Sequence, residues 1–260
     1  MSLQVNYHIQ TVDSPFWSFA IHDGHHIDDD LLPYLLLNSK QRLREEDPYT
    51  ALIAELPINQ FVVGTSRFQL DLNRSIEESV YLRPDQAWGL TVWKENLPST
   101  FLEILYKKHR DTYRIIERHI QTTIQKYGFF VVLDVHSYNV KRESISQDID
   151  EEANPQINLG TYYNDLKWRI LTESFLKAIQ NQKLYGESID VRENIKFKGG
   201  YLNQFINSNF GDKGCVFSIE FRKDFMNEWT GEPDVQRIAA CKQLLINTVQ
   251  ALKDYFVYER

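Results

Sequence analysis

Three apolar runs in this chain end in residues that can do chemistry. Phe129 to Asn139 reads FFVVLDVHSYN, Trp17 to His26 reads WSFAIHDGHH, and Gly214 to Lys223 reads GCVFSIEFRK. Short apolar runs of β-branched and aromatic residues read as buried strands. They place His136, His22 and Glu220 at or just past a strand end. A dense charged run from Arg42 to Thr50 adds Glu45, Glu46 and Asp47. Two imidazoles and a carboxylate form a common catalytic zinc shell that leaves a position open for water. Such a metal lowers the pKa of water and polarises a carbonyl, and a second, unligated carboxylate then serves as general base. Glu220 supplies that group. Asp134 lies two residues before His136 and on a strand faces the same side, where it suits orienting a metal-binding imidazole. The simpler reading of each residue is structural. A strand-end histidine can cap a loop, His25 and His26 can be solvated neighbours, and Glu45 and Glu46 can complement a helix dipole.

The elements that must hold these groups follow from pattern. Open α/β sheets keep their chemistry beyond the carboxyl ends of the strands, and the histidines sit at such ends. Gly24 allows a tight turn or a close approach after His22. Asp47-Pro48 reads as a helix start, with Asp as N-cap and Pro at the first helical position. Gln60 to Arg67 reads as a strand. Arg67, Asp71, Asn73 and Arg74 cluster where its apolar pattern ends. The donor fork of Arg74 beside the Asn73 amide suits a carboxylate ligand, and an Asp71–Arg74 salt bridge is the structural alternative. Pro98 to Tyr127 is a long helix closed by Gly128, with His109 and His119 as surface or packing residues. Asp148 to Glu152 reads as an acidic, solvated loop. Ile157 to Thr161 reads as a short turn element and Asp165 to Gln182 as an amphipathic helix. Gly199-Gly200, followed by Tyr201, suggests backbone brought close to another group, with a plain loop as the alternative. A last helix, Val235 to Tyr255, should pack across the sheet.

Composition narrows the class. The chain has 260 residues, 42% hydrophobic and 25% charged, as expected of a globular protein. No linker or low-complexity run divides it, and one domain over 1–260 is expected. The net charge of −7 argues against a nucleic-acid surface. Two cysteines, Cys215 and Cys241, are too few for a disulfide scaffold or a thiolate zinc site and read as core residues. No apolar run reaches membrane-spanning length and no signal-peptide pattern opens the chain, so a cytoplasmic protein without a membrane partner is expected. Oligomeric state is not readable.

In order, the segments IHDGHH, REEDPYT, SRFQLDLNR, LDVHSYN, INLGT, KFKGGYLNQF and SIEFRKDFMNEW resemble those of the N-formylglutamate amidohydrolases, relatives of the zinc carboxypeptidases and aspartoacylases. The resemblance spans nearly the whole chain. It implies a phosphorylase/hydrolase-like α/β fold with a mixed sheet flanked by helices. It implies Zn2+ on His22, His136 and a carboxylate of the REED segment, placed on Glu46 with Asp47 as first alternative. Asn73 and Arg74 match the pair that holds a substrate carboxylate. Arg67 matches a partner for the developing oxyanion, and Glu220 matches the catalytic glutamate. Gly199, Gly200 and Tyr201 match a pocket-lining segment. The implied activity is hydrolysis of the amide of an N-acyl amino acid, N-formyl-L-glutamate or a relative. The chain departs from the family at Asp23, where a small residue is usual. The carboxypeptidase ligand position three residues after the first histidine is His25 here, which keeps His25 open as a ligand, and the register of the acidic segment keeps Glu45 open as well. A peptide substrate, or a silent ligand-binding protein on this fold, are the competing expectations.

Overall fold

The computed structural model describes residues 3–258. Its elements are β1 (Tyr7–Gln10), β2 (Phe16–Ala20), α1 (Ser39–Glu45), α2 (Thr50–Ile53), β3 (Asn59–Val63), α3 (Ser99–Tyr127), β4 (Phe130–Tyr138), β5 (Ile157–Gly160), α4 (Arg169–Gln180), β6 (Lys183–Leu184), β7 (Glu187–Ser188), β8 (Val191–Glu193), α5 (Tyr201–Phe210), β9 (Gly214–Arg222) and α6 (Val235–Tyr258). Seven strands form one mixed sheet in the order β1-β3-β2-β4-β9-β5-β8. The four inner strands β3, β2, β4 and β9 run parallel. β1 lies antiparallel to β3, and β5 antiparallel to β9. β6 and β7 make a separate two-stranded hairpin.

Alternation along β4 explains how one strand both builds the core and presents chemistry. Val131, Leu133 and Val135 enter a core shared with α4 and α6. Phe130 and Val132 enter the opposite core, under α3 and α5. Burying each such side chain is worth about 1.5–3 kcal/mol, so a one-residue slip of β4 is strongly disfavoured. Asp134 and His136 continue the α3–α5 face beyond the point where the apolar residues stop. In the parallel register His136 stands beside Glu220 of β9, so both project to that side.

The long helix ends as its sequence indicates, with Gly128 at φ +80° and its N–H donating to Ile124 O at 2.8 Å. Other segments differ from expectation. Ile157–Gly160 is a strand, because it finds open edges on β9 and β8. Residues after Gly200 form helix α5 rather than a loop. Asp47-Pro48 does not start a helix. α1 begins at Asn38, whose side chain and that of Gln41 cap it reciprocally. The acidic pair therefore falls at the end of α1, and α2 starts only at Thr50, after Tyr49 at φ 70°. Cys215 and Cys241 are buried and free. No helix among the described residues is long and apolar enough to cross a membrane.

Candidate active site

The carboxyl ends of the four parallel strands deliver the site. β2 leads to His22, β4 carries His136, β9 carries Glu220, and the loop after β3 carries Arg67 and Asp71. His22, Asp47 and His136 are buried, and one donor atom from each lies within 4.8 Å of the others. Both imidazoles present Nδ1 to Asp47 Oδ2, at 3.4 Å from His22 and 3.1 Å from His136. Each turns Nε2 to a further buried carboxylate. His22 Nε2 lies 2.7 Å from Asp71 Oδ1, and His136 Nε2 lies 2.9 Å from Asp134 Oδ2. The Asp71 carboxylate hydrogen-bonded behind His22 fixes the tautomer that leaves its Nδ1 available as a ligand, and Asp134 stands in the corresponding place behind His136.

Charge in the cluster is unbalanced. Asp47, Asp71 and Asp134 are all buried, and among the described residues Arg67 is the one fixed cation in direct contact with them. Burial pushes the carboxyls of Asp47 and Asp71 up, but their neighbours outweigh it. His136 and His22 hold Asp47 low, and Arg67, His22 and Tyr81 hold Asp71 well below the usual carboxylate range. His136 is opposed by burial yet raised well above the ordinary histidine value by Asp134 and Asp47. The approach of His136 to Asp134 is an ion-pair contact off the hydrogen-bond line, so both Asp134 oxygens are buried without a directed donor. Two converging imidazoles amid excess buried negative charge, with orphaned carboxylate oxygens, fit a divalent cation.

The acidic residue that joins the histidines is Asp47, not Glu46. At Glu46 the backbone is extended, with φ −73° and ψ 171°, and consecutive side chains on extended backbone point to opposite sides. Glu46 therefore faces away. It pairs with His25, accepts from Ser66 and lies 3.4 Å from Arg42. That contact also removes His25 from the donor set. Glu45 reaches the cavity wall but is paired with Arg142 at 2.7 Å. Asp23 does not line the cavity. Its carboxylate accepts from Ala51 N at 3.0 Å and bonds α2 to the end of β2. Burial pushes it up to about 6, with that backbone N–H pulling the other way.

Glu220 has no hydrogen-bond or ion-pair partner for its carboxylate among the described residues. Burial pushes its pKa up to about 8, with His136 lowering it and Asp47 raising it. An uncommitted carboxylate of raised pKa beside a donor cluster suits a general base. Arg67 donates from Nε to Tyr81 at 3.1 Å, from NH1 to Glu45 O at 3.4 Å and from NH2 to Asp71 at 2.8 Å. Burial would lower its pKa, but Asp71, Tyr81 and Asp47 raise it further. The structural alternative, an Asp71–Arg74 salt bridge, does not form, because Asp71 is already taken by Arg67 and His22. Arg74 is exposed on the cavity wall, and its guanidinium makes no ion pair among the described residues.

Asn73 is held by its neighbours. Its Oδ1 accepts from Leu202 N at 3.1 Å and its backbone O from Tyr201 N at 3.1 Å, so it caps the start of α5. Gly200 lies flat against the amide, and a Cβ there would come within 2.2–2.4 Å of its atoms. Gly200→Ala should therefore displace Asn73 and cost about 1–3 kcal/mol, which thermal melts of the two proteins would measure. Of the glycine segment only Gly200 lines the cavity. Gly199 sits behind it, and the Tyr201 ring packs on Tyr113 and His109, outside the cavity. Tyr201 was expected in the pocket, but the first turn of α5 rotates its side chain into that aromatic cluster.

These residues surround a cavity of about 300 Å³, closed by Trp88, Tyr138, Asn139, Phe197 and Lys223. A larger cavity of about 480 Å³ adjoins it at Lys223 but is lined by none of His22, Asp47 and His136. Sequence reasoning missed two neighbours of the cluster. Asp71 orients His22 across 49 positions, a pairing no local pattern reveals. Lys223 is buried, donates to Arg44 O at 2.7 Å and to Glu46 O at 2.8 Å, and so caps the end of α1 just before Asp47. Burial pulls its pKa down to about 8 despite Asp47 and Glu45.

Fold and site together define a hydrolase-type α/β protein with a buried His-Asp-His cluster at its strand ends. The model of the N-formylglutamate amidohydrolase family matches residues 14–226, and the chain belongs to that family of hydrolases. The crystal structure of N-formylglutamate amidohydrolase from Ralstonia eutropha superposes with a TM-score of 0.75 at 13% identity, over 95% of this chain and 97% of that one. A gene product of Agrobacterium tumefaciens gives a TM-score of 0.66 at 18% identity, over 97% and 96%. A metallo-carboxypeptidase from Burkholderia cenocepacia gives 0.41 at 11% identity, over 97% and 65%. Among curated proteins none matches the chain.

Proposed function

We propose that the protein is a zinc-dependent amidohydrolase that cleaves the amide of an N-acyl amino acid, with N-formyl-L-glutamate or a close relative as substrate. The observation that carries this reading is the convergence of His22, Asp47 and His136 beside the uncommitted Glu220. His22 Nδ1, His136 Nδ1 and the Asp47 carboxylate would hold the ion. Zn2+ there would supply Lewis-acid polarisation of water and of the scissile carbonyl. Glu220 takes the proton of the attacking water and returns it to the leaving amine. Arg67 keeps two of its five N–H groups after its three bonds, and these stabilise the oxyanion that develops. Arg74, with the Asn73 amide, binds the substrate carboxylate.

Asp23, the departure from the family pattern, bonds α2 and does not line the cavity, so it lends the ligand-binding alternative no support. Zinc-loaded protein offered N-formyl, N-acetyl and carboxy-terminal peptide substrates tests the proposal. Hydrolysis of the N-acyl amino acids is expected, and cleavage of the peptides alone would replace it with a carboxypeptidase-like reading. The carboxylate behind His136 gives a second check. Asp134→Asn should weaken zinc binding roughly 10- to 100-fold, read by competition with a chromogenic chelator.

A further inference from the structure

We infer that Trp88 is a specificity-determining residue whose indole forms the wall against which the carbon stem of the substrate side chain lies. The inference rests on the amidohydrolase reading of the cavity. Trp88 has φ +53° and is followed by Gly89 at φ +85°. A bulky L-residue seldom adopts this conformation, and such residues persist where surroundings impose them, most often at functional sites. The turn is fixed locally, with Gly89 N donating to Pro84 O and Leu90 N to Ala87 O, each at 2.8 Å. The indole stands over the Arg67 guanidinium, 4.8 Å from Cζ to the ring centroid, and meets Phe68 and Tyr81 edge-on at 6.4 and 6.1 Å.

Despite these contacts Trp88 is 43% exposed and lines the catalytic cavity. Arg67 does not need it for orientation, because three hydrogen bonds already fix that side chain. The Tyr81 ring contacts both Trp88 and Arg74, whose guanidinium is 6.0 Å from its centroid, and Trp88 and Arg74 line the same cavity. Because His22, His136, Arg74 and Trp88 line one cavity of about 300 Å³, a substrate held at the histidines and at Arg74 brings the carbons of its stem within reach of the indole. A flat, rigid aromatic face suits apolar contact with them at small entropic cost.

The test crosses a side-chain truncation of the substrate with a truncation of the wall. Wild type, Trp88→Ala and Trp88→Phe, each loaded with zinc, are compared on N-formyl-L-glutamate and N-formylglycine. The preference for the glutamate derivative should fall about tenfold in Trp88→Ala, chiefly through KM, and be largely kept in Trp88→Phe. Zinc content should not change. Trp88→Gly should melt above Trp88→Ala, since glycine accepts φ > 0. An unchanged preference in folded Trp88→Ala, or an equal loss on both substrates through kcat, would overturn the assignment. Hydrolysis of neither substrate by zinc-loaded wild type would instead bring down the reading of the site, and this inference with it.

Discussion

Replacing Asp47 with alanine is expected to abolish zinc retention while leaving the fold intact. Asp47 is the carboxylate facing both Nδ1 atoms, and without it two imidazoles remain as donors. The loss of affinity should exceed the roughly 10- to 100-fold that removal of an outer-shell partner costs. The informative control is its neighbour. Glu46→Gln should keep the metal, because Glu46 faces Ser66, His25 and Arg42 instead. It should cost about 1–3 kcal/mol of stability from disturbed buried hydrogen bonds. Metal analysis after gel filtration, with thermal melts of both variants, separates the two residues. Loss of zinc in Glu46→Gln and its retention in Asp47→Ala would reverse the ligand assignment.

Glu220→Gln is expected to retain zinc and lower kcat by about 100- to 10,000-fold, the range over which a positioned general base acts. Glutamine keeps the shape of the side chain but cannot accept the proton of water. Glu220 has no hydrogen-bond or ion-pair partner among the described residues, so the substitution breaks no such bond and the folded state should be undisturbed. A matching loss in kcat and kcat/KM would indicate an interaction confined to the transition state. Turnover near wild type, with full zinc, would remove Glu220 from the mechanism.

Much of this arrangement is legible in the chain itself. The runs before His22, His136 and Glu220 identify the parallel strands, because each is apolar on both faces until the chemistry begins. The two-residue spacing of Asp134 and His136 foretells their 2.9 Å approach. The choice among Glu45, Glu46 and Asp47 is harder, because it turns on a single position of backbone. Reading Asp47 as an N-cap starts a helix at Pro48, whereas the Asn38–Gln41 capping pair starts one earlier and ends it at Glu45. That pair is visible in the sequence, and so is the preference of a residue before proline for extended backbone. Together they set Asp47 clear of the helix and opposite in direction to Glu46. Other features are long-range by nature. The Asp71 bond to His22 and the Lys223 cap on α1 exist only once the sheet has brought β2, β3 and β9 together. Trp88 gives no warning, since its exposure and its φ depend on the turn that holds it.

The most direct measurement is formate release from N-formyl-L-glutamate by the purified protein, before and after chelation and again after zinc is restored. The account predicts release of formate and glutamate in equal amounts, its loss on chelation and its recovery with zinc. Release that survives complete removal of the metal, or none from protein carrying a full complement of zinc, would contradict it.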